Sequence, residues 1–198
     1  MRGNSVLLMR NILNWGGGRY SQFSGDARDQ RSFTLWASLW LGECLRLARE
    51  GAPLLVFSDW RQLPAMTDAV QTAGWHWRGV VCWHKPAARP MRGEFKRDCE
   101  FVVYARKGRP VELDEVYLPG MFSMSAPMGP RRVHLTQKPV ELIKNMLQVV
   151  PKGGVVLDPF LGSGTTAVAA IQTGRSCIGV EITPDNVAIA RDRVARRE

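Results

Sequence analysis

The stretch DPFLGSGTTA, residues 158–167, decides how this chain is read. It follows a short apolar run, Val155 to Leu157, and opens a helical segment over 165–173, so it forms the turn between a strand and a helix. Its Gly162-x-Gly164-x-x-Ala167 spacing is that of a nucleotide-binding turn, in which glycines let the backbone approach a ligand. Gly174 ends the helix, Cys177 to Val180 forms the next strand, and Glu181 follows it. A carboxylate there can accept hydrogen bonds from both hydroxyls of an adenosine ribose. A tight turn needed only for packing would not require that acid. A phosphate-gripping P-loop is excluded, because Thr165-Thr166 stand where Lys-Ser/Thr would be.

A dehydrogenase of the dinucleotide-binding kind begins with such a unit and adds the second half of its sheet afterwards. Here only residues 182–198 follow Glu181, with Thr183-Pro184 opening a last helix, so the remaining strands must lie before 155, in a permuted order. The upstream pattern supplies them. Phe33, Trp36, Trp40, Cys44 and Leu47 form the apolar stripe of a helix ended by Gly51 and Pro53. Leu54 to Phe57 reads as a buried strand emptying into Ser58-Asp59, and Pro64 to Ala73 as a second helix. Strands follow at Gly79 to Trp83 and Glu100 to Tyr104, separated by a basic loop carrying Arg89, Arg92, Lys96 and Arg97. Residues 105–133 have no sustained period and read as a long loop or insertion. Thr136 is placed to cap a helix with Pro139 near its start and Leu142, Ile143, Met146, Leu147 and Val150 along it. The expected class is α/β, a mainly parallel sheet with helices on both faces.

With 198 residues and 45% hydrophobic content, the chain suits a single domain spanning 1–198. Cys44, Cys82, Cys99 and Cys177 show no C-x-x-C pairing, and no histidine stands at ligand spacing from them. Reduced, buried thiols and no metal are expected. No apolar run long enough for a membrane span and no signal peptide pattern are present, which points to a soluble cytoplasmic protein. The formal charge of +9, densest over 85–109 and 191–197, suits a polyanionic partner. A solvated basic surface is the bland alternative.

HLTQKP at 134–139, DPFLGSGTT at 158–166 and GRSCIGVEI at 174–182, in this permuted order, resemble the amino-methyltransferases of DNA whose recognition segment precedes the cofactor half. Upstream, FSGDARDQRSFTLWASLWL, VFSDWRQLPAMTDAVQTAGWHWRGVVCWHKP and FKRDCEFVVYARKG resemble the phage-type branch of that family, so the likeness covers about residues 23–190. The resemblance implies a Rossmann-like sheet and S-adenosylmethionine as cofactor. Asp158, Pro159, Phe160, Gly162, Ser163, Gly164 and Thr165 would surround it, with Glu181 on the ribose and Thr136, Gln137, Lys138 and Pro139 completing the pocket. Read from the residues alone, the same helix start and Lys138 suit the carboxylate of a methionine, while Thr136 and Pro139 would serve as a simple cap in either case. The implied substrate is the exocyclic N-6 of adenine, ahead of N-4 of cytosine, in duplex DNA. Trp83 and Lys85 would border the pocket for an extruded base, although a buried tryptophan also serves a core, and Arg89, Arg92, Lys96 and Arg97 would meet phosphates or base edges. The parts are then 23–85 for the catalytic half, 86–133 for recognition and 134–198 for the cofactor, with a homodimer as a possible assembly in a bacterial or phage-encoded protein.

One family feature is missing. The amine of a nucleobase is a poor nucleophile because its lone pair is delocalised, and these enzymes hold it with a D/N/S-P-P-aromatic loop whose acceptors localise that pair. This chain contains no Pro-Pro, and its single Asp-Pro is Asp158-Pro159. Asn14-Trp15, followed by three glycines, is the candidate remnant; a reading frame that begins after the tetrapeptide is the other expectation. A non-catalytic DNA-binding remnant and an RNA or small-molecule methyltransferase are the competing functions.

Overall fold

The structure, a computed structural model, describes residues 5–9 (backbone only), 29–109, 116–127 and 137–198. In chain order the elements are β1 (Ser5–Met9), α1 (Gln30–Leu47), β2 (Pro53–Ser58), α2 (Leu63–Thr72), β3 (His76–His84), β4 (Cys99–Arg106), β5 (Met121–Ser123), α3 (Val140–Met146) continued by a 3-10 turn, β6 (Val155–Asp158), α4 (Thr165–Gln172), β7 (Ser176–Gly179) and α5 (Pro184–Arg196). They build one seven-stranded sheet in the order β5-β3-β4-β2-β1-β6-β7. The permuted order is thereby realised: β6 and β7 close one end of the sheet, and the earlier strands make the rest.

Four pairings are parallel, but β4 runs antiparallel to both β2 and β3. Glu100 to Tyr104 gave no hint of direction, because a strand buried on both faces shows the same apolar run either way. β2 illustrates that burial, with all six residues inside. Leu54 and Val56 face α1 and α2 among Leu41, Met66, Val70 and Trp75, while Leu55 and Phe57 face α3 and α4 among Trp83, Leu142, Leu147 and Ala169.

The helices depart from expectation in detail. Asp29 caps α1 by accepting from the N–H groups of Arg31 and Ser32, both at 3.0 Å. Within the stripe, Phe33 and Cys44 are buried, whereas Leu47 is exposed. The third helix starts at Val140 with Pro139 as its cap, because the extended ψ of 133° there keeps Pro139 outside the helix; Thr136, the expected cap, lies outside the described residues. The segment 105–133 contributes a strand after all, β5, which pairs in parallel with β3. Of the cysteines only Cys44 is fully buried, and the other three are half-buried. Burial pushes the Cys44 and Cys177 thiols up to about 12 and Cys82 to about 11. Among the described residues no helix is long and apolar enough to cross a membrane.

Candidate active site at the carboxyl edge of the sheet

β1 lies between β2 and β6 and is parallel to both, with Met9 opposite Val56 and Leu7 opposite Leu157. The chain therefore leaves β1 at the edge where β2 gives way to Ser58-Asp59 and β6 gives way to Asp158. Open α/β sheets bind ligands at the carboxyl ends of such strands, where the strand order reverses. The strand order here reverses at β1.

Asp158 is buried, and its carboxylate accepts the N–H of Phe160 at 3.0 Å, which folds the chain sharply after β6. Phe160 then packs on the aromatic face of α1, its ring centroid 5.3 Å from Trp40 and 5.8 Å from Trp36. Gly162 and Gly164 both take positive φ, 55° and 84°. At Gly164 a Cβ would also stand 2.9 Å from the Cα of Ala190, so the turn and its packing against α5 require glycine twice over.

Glu181, just past β7, closes the loop. One carboxylate oxygen accepts from Gly162 N at 2.8 Å, and the other accepts from Thr183 N at 2.9 Å and from the Asn186 amide at 3.4 Å. Partial burial pushes its pKa upward, but the N–H donors of Thr183 and Gly162 outweigh that and hold the acid below its ordinary range. A carboxylate has about four acceptor positions. The loop uses two firmly and one loosely, so the residue can anchor the glycine turn and still receive a ribose hydroxyl.

Two of the expected cofactor residues also tie the glycine turn to α5. Ser163 and Thr165 are buried, and the Arg193 guanidinium donates to the Ser163 carbonyl at 2.7 Å and to the Ser163 and Thr165 hydroxyls at 3.2 Å each. Their hydroxyls, by accepting from Arg193, help to pin the loop to α5. Lys138 is likewise engaged: it forms an ion pair with Glu100, and its ammonium lies 4.9 Å from the Phe57 ring centroid and 5.0 Å from that of Trp83. Lys85 pairs with the other Glu100 oxygen at 2.9 Å. Trp83, expected at the base pocket, is a core residue, 1% exposed, donating its indole N–H to the Met124 carbonyl at 2.8 Å. The cradle of Gly162, Asp158 and Glu181 nonetheless fits a nucleoside-bearing group: a turn whose two glycines take positive φ and a firmly ionised acceptor at its rim.

The loop 85–98 leaves β3 and enters β4 at this same edge, with Arg89, Arg92, Lys96 and Arg97 all exposed. Asn14 and Trp15 lie outside the described residues.

Residues 14–192 match the family of N6/N4 enzymes described as DNA methylase. The chain belongs to that family. S-adenosylmethionine is the methyl donor of these DNA methylases. Among relatives, the methylase YubD of Escherichia coli K12 is 28% identical over 174 residues, 87% of this chain and 72% of that protein. The type II methyltransferase M.SmaI of Serratia marcescens is 28% identical over 159 residues, 72% of this chain; the match spans 53% of that enzyme, about half its length. The crystal structure of the M1.HpyAVI–SAM complex superposes with a TM-score of 0.74 at 21% identity, covering 97% of this chain and 89% of that one, and shows the same fold.

Arg193, Glu100 and the Trp36–Trp40 platform under Phe160 escaped the sequence reading. Only the two tryptophans left a signal, as part of the helical stripe on α1.

Proposed function

We propose that this DNA methylase transfers a methyl group from S-adenosylmethionine to the exocyclic amine of adenine, or else of cytosine, in duplex DNA. The observation that carries the reading is the convergence of three things on one sheet edge: the Asp158–Gly164 cradle with Glu181, the end of β1, and the basic loop 85–98. The segment 134–198 is read as the cofactor half and 86–133 as the recognition segment. The bound cofactor supplies an activated methyl on its sulfonium. The chain's own part is to receive the ribose on Glu181, to align the donor along the backbone of Gly162 and Gly164, and to hold the amine in place. For that last task the segment following Met9 carries Asn14-Trp15, an amide oxygen able to accept from the amine beside a ring able to stack on the base. The proton released by the amine passes to solvent.

A second reading is favoured by one observation, the missing Pro-Pro: a DNA-binding protein that has kept the cradle and lost the chemistry. Titration calorimetry with S-adenosylmethionine, followed by tritiated methyl transfer to bacterial DNA and chromatography of the digested nucleosides, separates the two. Binding with label in N6-methyladenine is expected. Label in N4-methylcytosine would move the substrate to cytosine, binding without transfer would establish the second reading, and absence of binding would remove the cofactor assignment.

A further inference from the structure

Trp60, two residues beyond β2, is 53% exposed at the carboxyl edge of the sheet. The guanidinium groups of Arg61 and Arg97 lie 6.0 and 5.7 Å from its ring centroid. Asp59 pairs with Arg61 at 2.8 Å and Glu94 with Arg97 at 3.2 Å, and both planar cations lie beside the indole. Across from them Phe95 is 97% exposed. Trp60, Phe95, Lys96, Arg97 and Phe101 line an open groove of about 700 Å³. Its carboxylates, Glu94 and Asp98, balance its cations, Lys96 and Arg97, but the loop that forms its wall, 85–98, carries five cations against two acids, and Arg89 and Arg92 form no ion pair among the described residues.

Trp60, half-exposed beside two guanidinium groups, and Phe95, almost wholly in water, belong to neither core cluster and offer free ring surface on one groove. Stacking surface combined with cations is the chemistry that proteins use to hold unpaired nucleic acid bases without reading their sequence. The basic loop beside the rings favours a polyanion as occupant: an apolar peptide would meet only the rings, whereas a nucleotide strand uses ring and loop cations together. We propose that this groove binds an unpaired nucleobase of the DNA strand, stacked on the Trp60 indole, with its flanking phosphates on Arg61 and Arg97. The proposal rests on the reading of this chain as an enzyme acting on DNA. It adds a function to the edge distinct from the cofactor cradle, because the groove lies on the β2 and β4 side of β1 and the cradle on the β6 side. An enzyme that modifies a base must first take it out of the stack. A groove that holds an unpaired base stabilises the opened duplex relative to the closed one.

The test is fluorescence anisotropy with a labelled short oligothymidylate and, separately, a fully paired duplex, using the full chain and the variants W60F, W60L, W60A and F95A. The single strand should bind W60L and W60A about tenfold more weakly, the loss of one base–aromatic stack, while W60F, which keeps a stacking ring, stays within about threefold of the parent. F95A should fall between. Calorimetric affinity for S-adenosylmethionine, unchanged in all four, shows that they fold. Equal single-strand affinity in W60A, W60L and the parent would overturn the subsite while leaving the DNA reading intact; a parent protein that binds neither DNA would overturn the reading on which it rests.

Discussion

At the scale of single residues, Glu181 and Arg193 carry opposite kinds of consequence. Glu181 accepts from two backbone N–H groups and still has capacity for a ribose hydroxyl, so Glu181→Gln both turns an amide NH2 toward one of those donors and removes a charged acceptor. Calorimetry should find the affinity for S-adenosylmethionine reduced on the order of tenfold, the value of one hydrogen bond to a charged group. An unchanged affinity would place the ribose elsewhere. Arg193 stands on α5 rather than in the glycine turn, yet it ties Ser163 and Thr165 to that helix. Arg193→Ala should lower Tm by roughly 6 °C in a thermal melt, corresponding to about 2 kcal/mol of charged hydrogen bonding, and should weaken cofactor binding only through a looser turn. Glu181 was legible because the whole argument for it is local, a glycine turn and an acid one strand later. Arg193 was not, because its acceptors are 28 and 30 residues away and it stands on a helix with Arg191 and Arg196, which look the same in sequence.

Among elements, the helices and the strands β2, β3, β4, β6 and β7 declared themselves through apolar period and glycine punctuation, whereas the short β5, the directions and the mutual ties did not. β4 reversed direction without a mark in its residues, and the role of Lys138 depended on a partner in that strand. Glu100 of β4 bridges Lys85, just past β3, and Lys138, just before α3, so the ion pairs join the β3–β4 hairpin to the start of α3. Burial pushes the Glu100 pKa upward, but Lys138 and Lys85 together outweigh it and hold the acid below its ordinary 4.5. A depressed carboxyl pKa stabilises the fold above the unfolded value, and the contribution disappears as pH falls through the lower folded value. Glu100→Gln should therefore lower Tm at pH 7 by roughly 6 °C, since it leaves two half-buried ammonium groups without their counter-charge. Melts repeated at decreasing pH should show the parent and variant curves converging below about pH 4.5, the ordinary glutamate value. A gap that persists undiminished at low pH would mean that packing, not charge, accounts for the loss.

For the molecule as a whole, the +9 charge was visible at once, but not which part of it faces a ligand. The sheet separates the two clusters. The loop 85–98 sits at the carboxyl edge with the cradle, while α5 starts at that edge and runs away from it, so that the Arg197 carbonyl accepts from Gln172 at the far end of α4, 2.6 Å away. The two basic clusters therefore occupy opposite edges of one sheet, and only the first overlooks the site. Each phosphate neutralised on duplex DNA releases counterions, which gives a slope of about −0.9 in the logarithm of affinity against the logarithm of salt concentration. Replacing Arg89 and Arg92 together with alanine should make that slope shallower by about 1.8 and leave the affinity for S-adenosylmethionine untouched. Replacing Arg191 and Arg197, which carry the same two charges at α5, should leave the slope where it was. Equal effects from both pairs would mean that the net charge acts at long range and that DNA has no preferred edge; an effect from the α5 pair alone would put the duplex on the wrong side of the sheet for methyl transfer, and the recognition role of the 85–98 loop would fall with it.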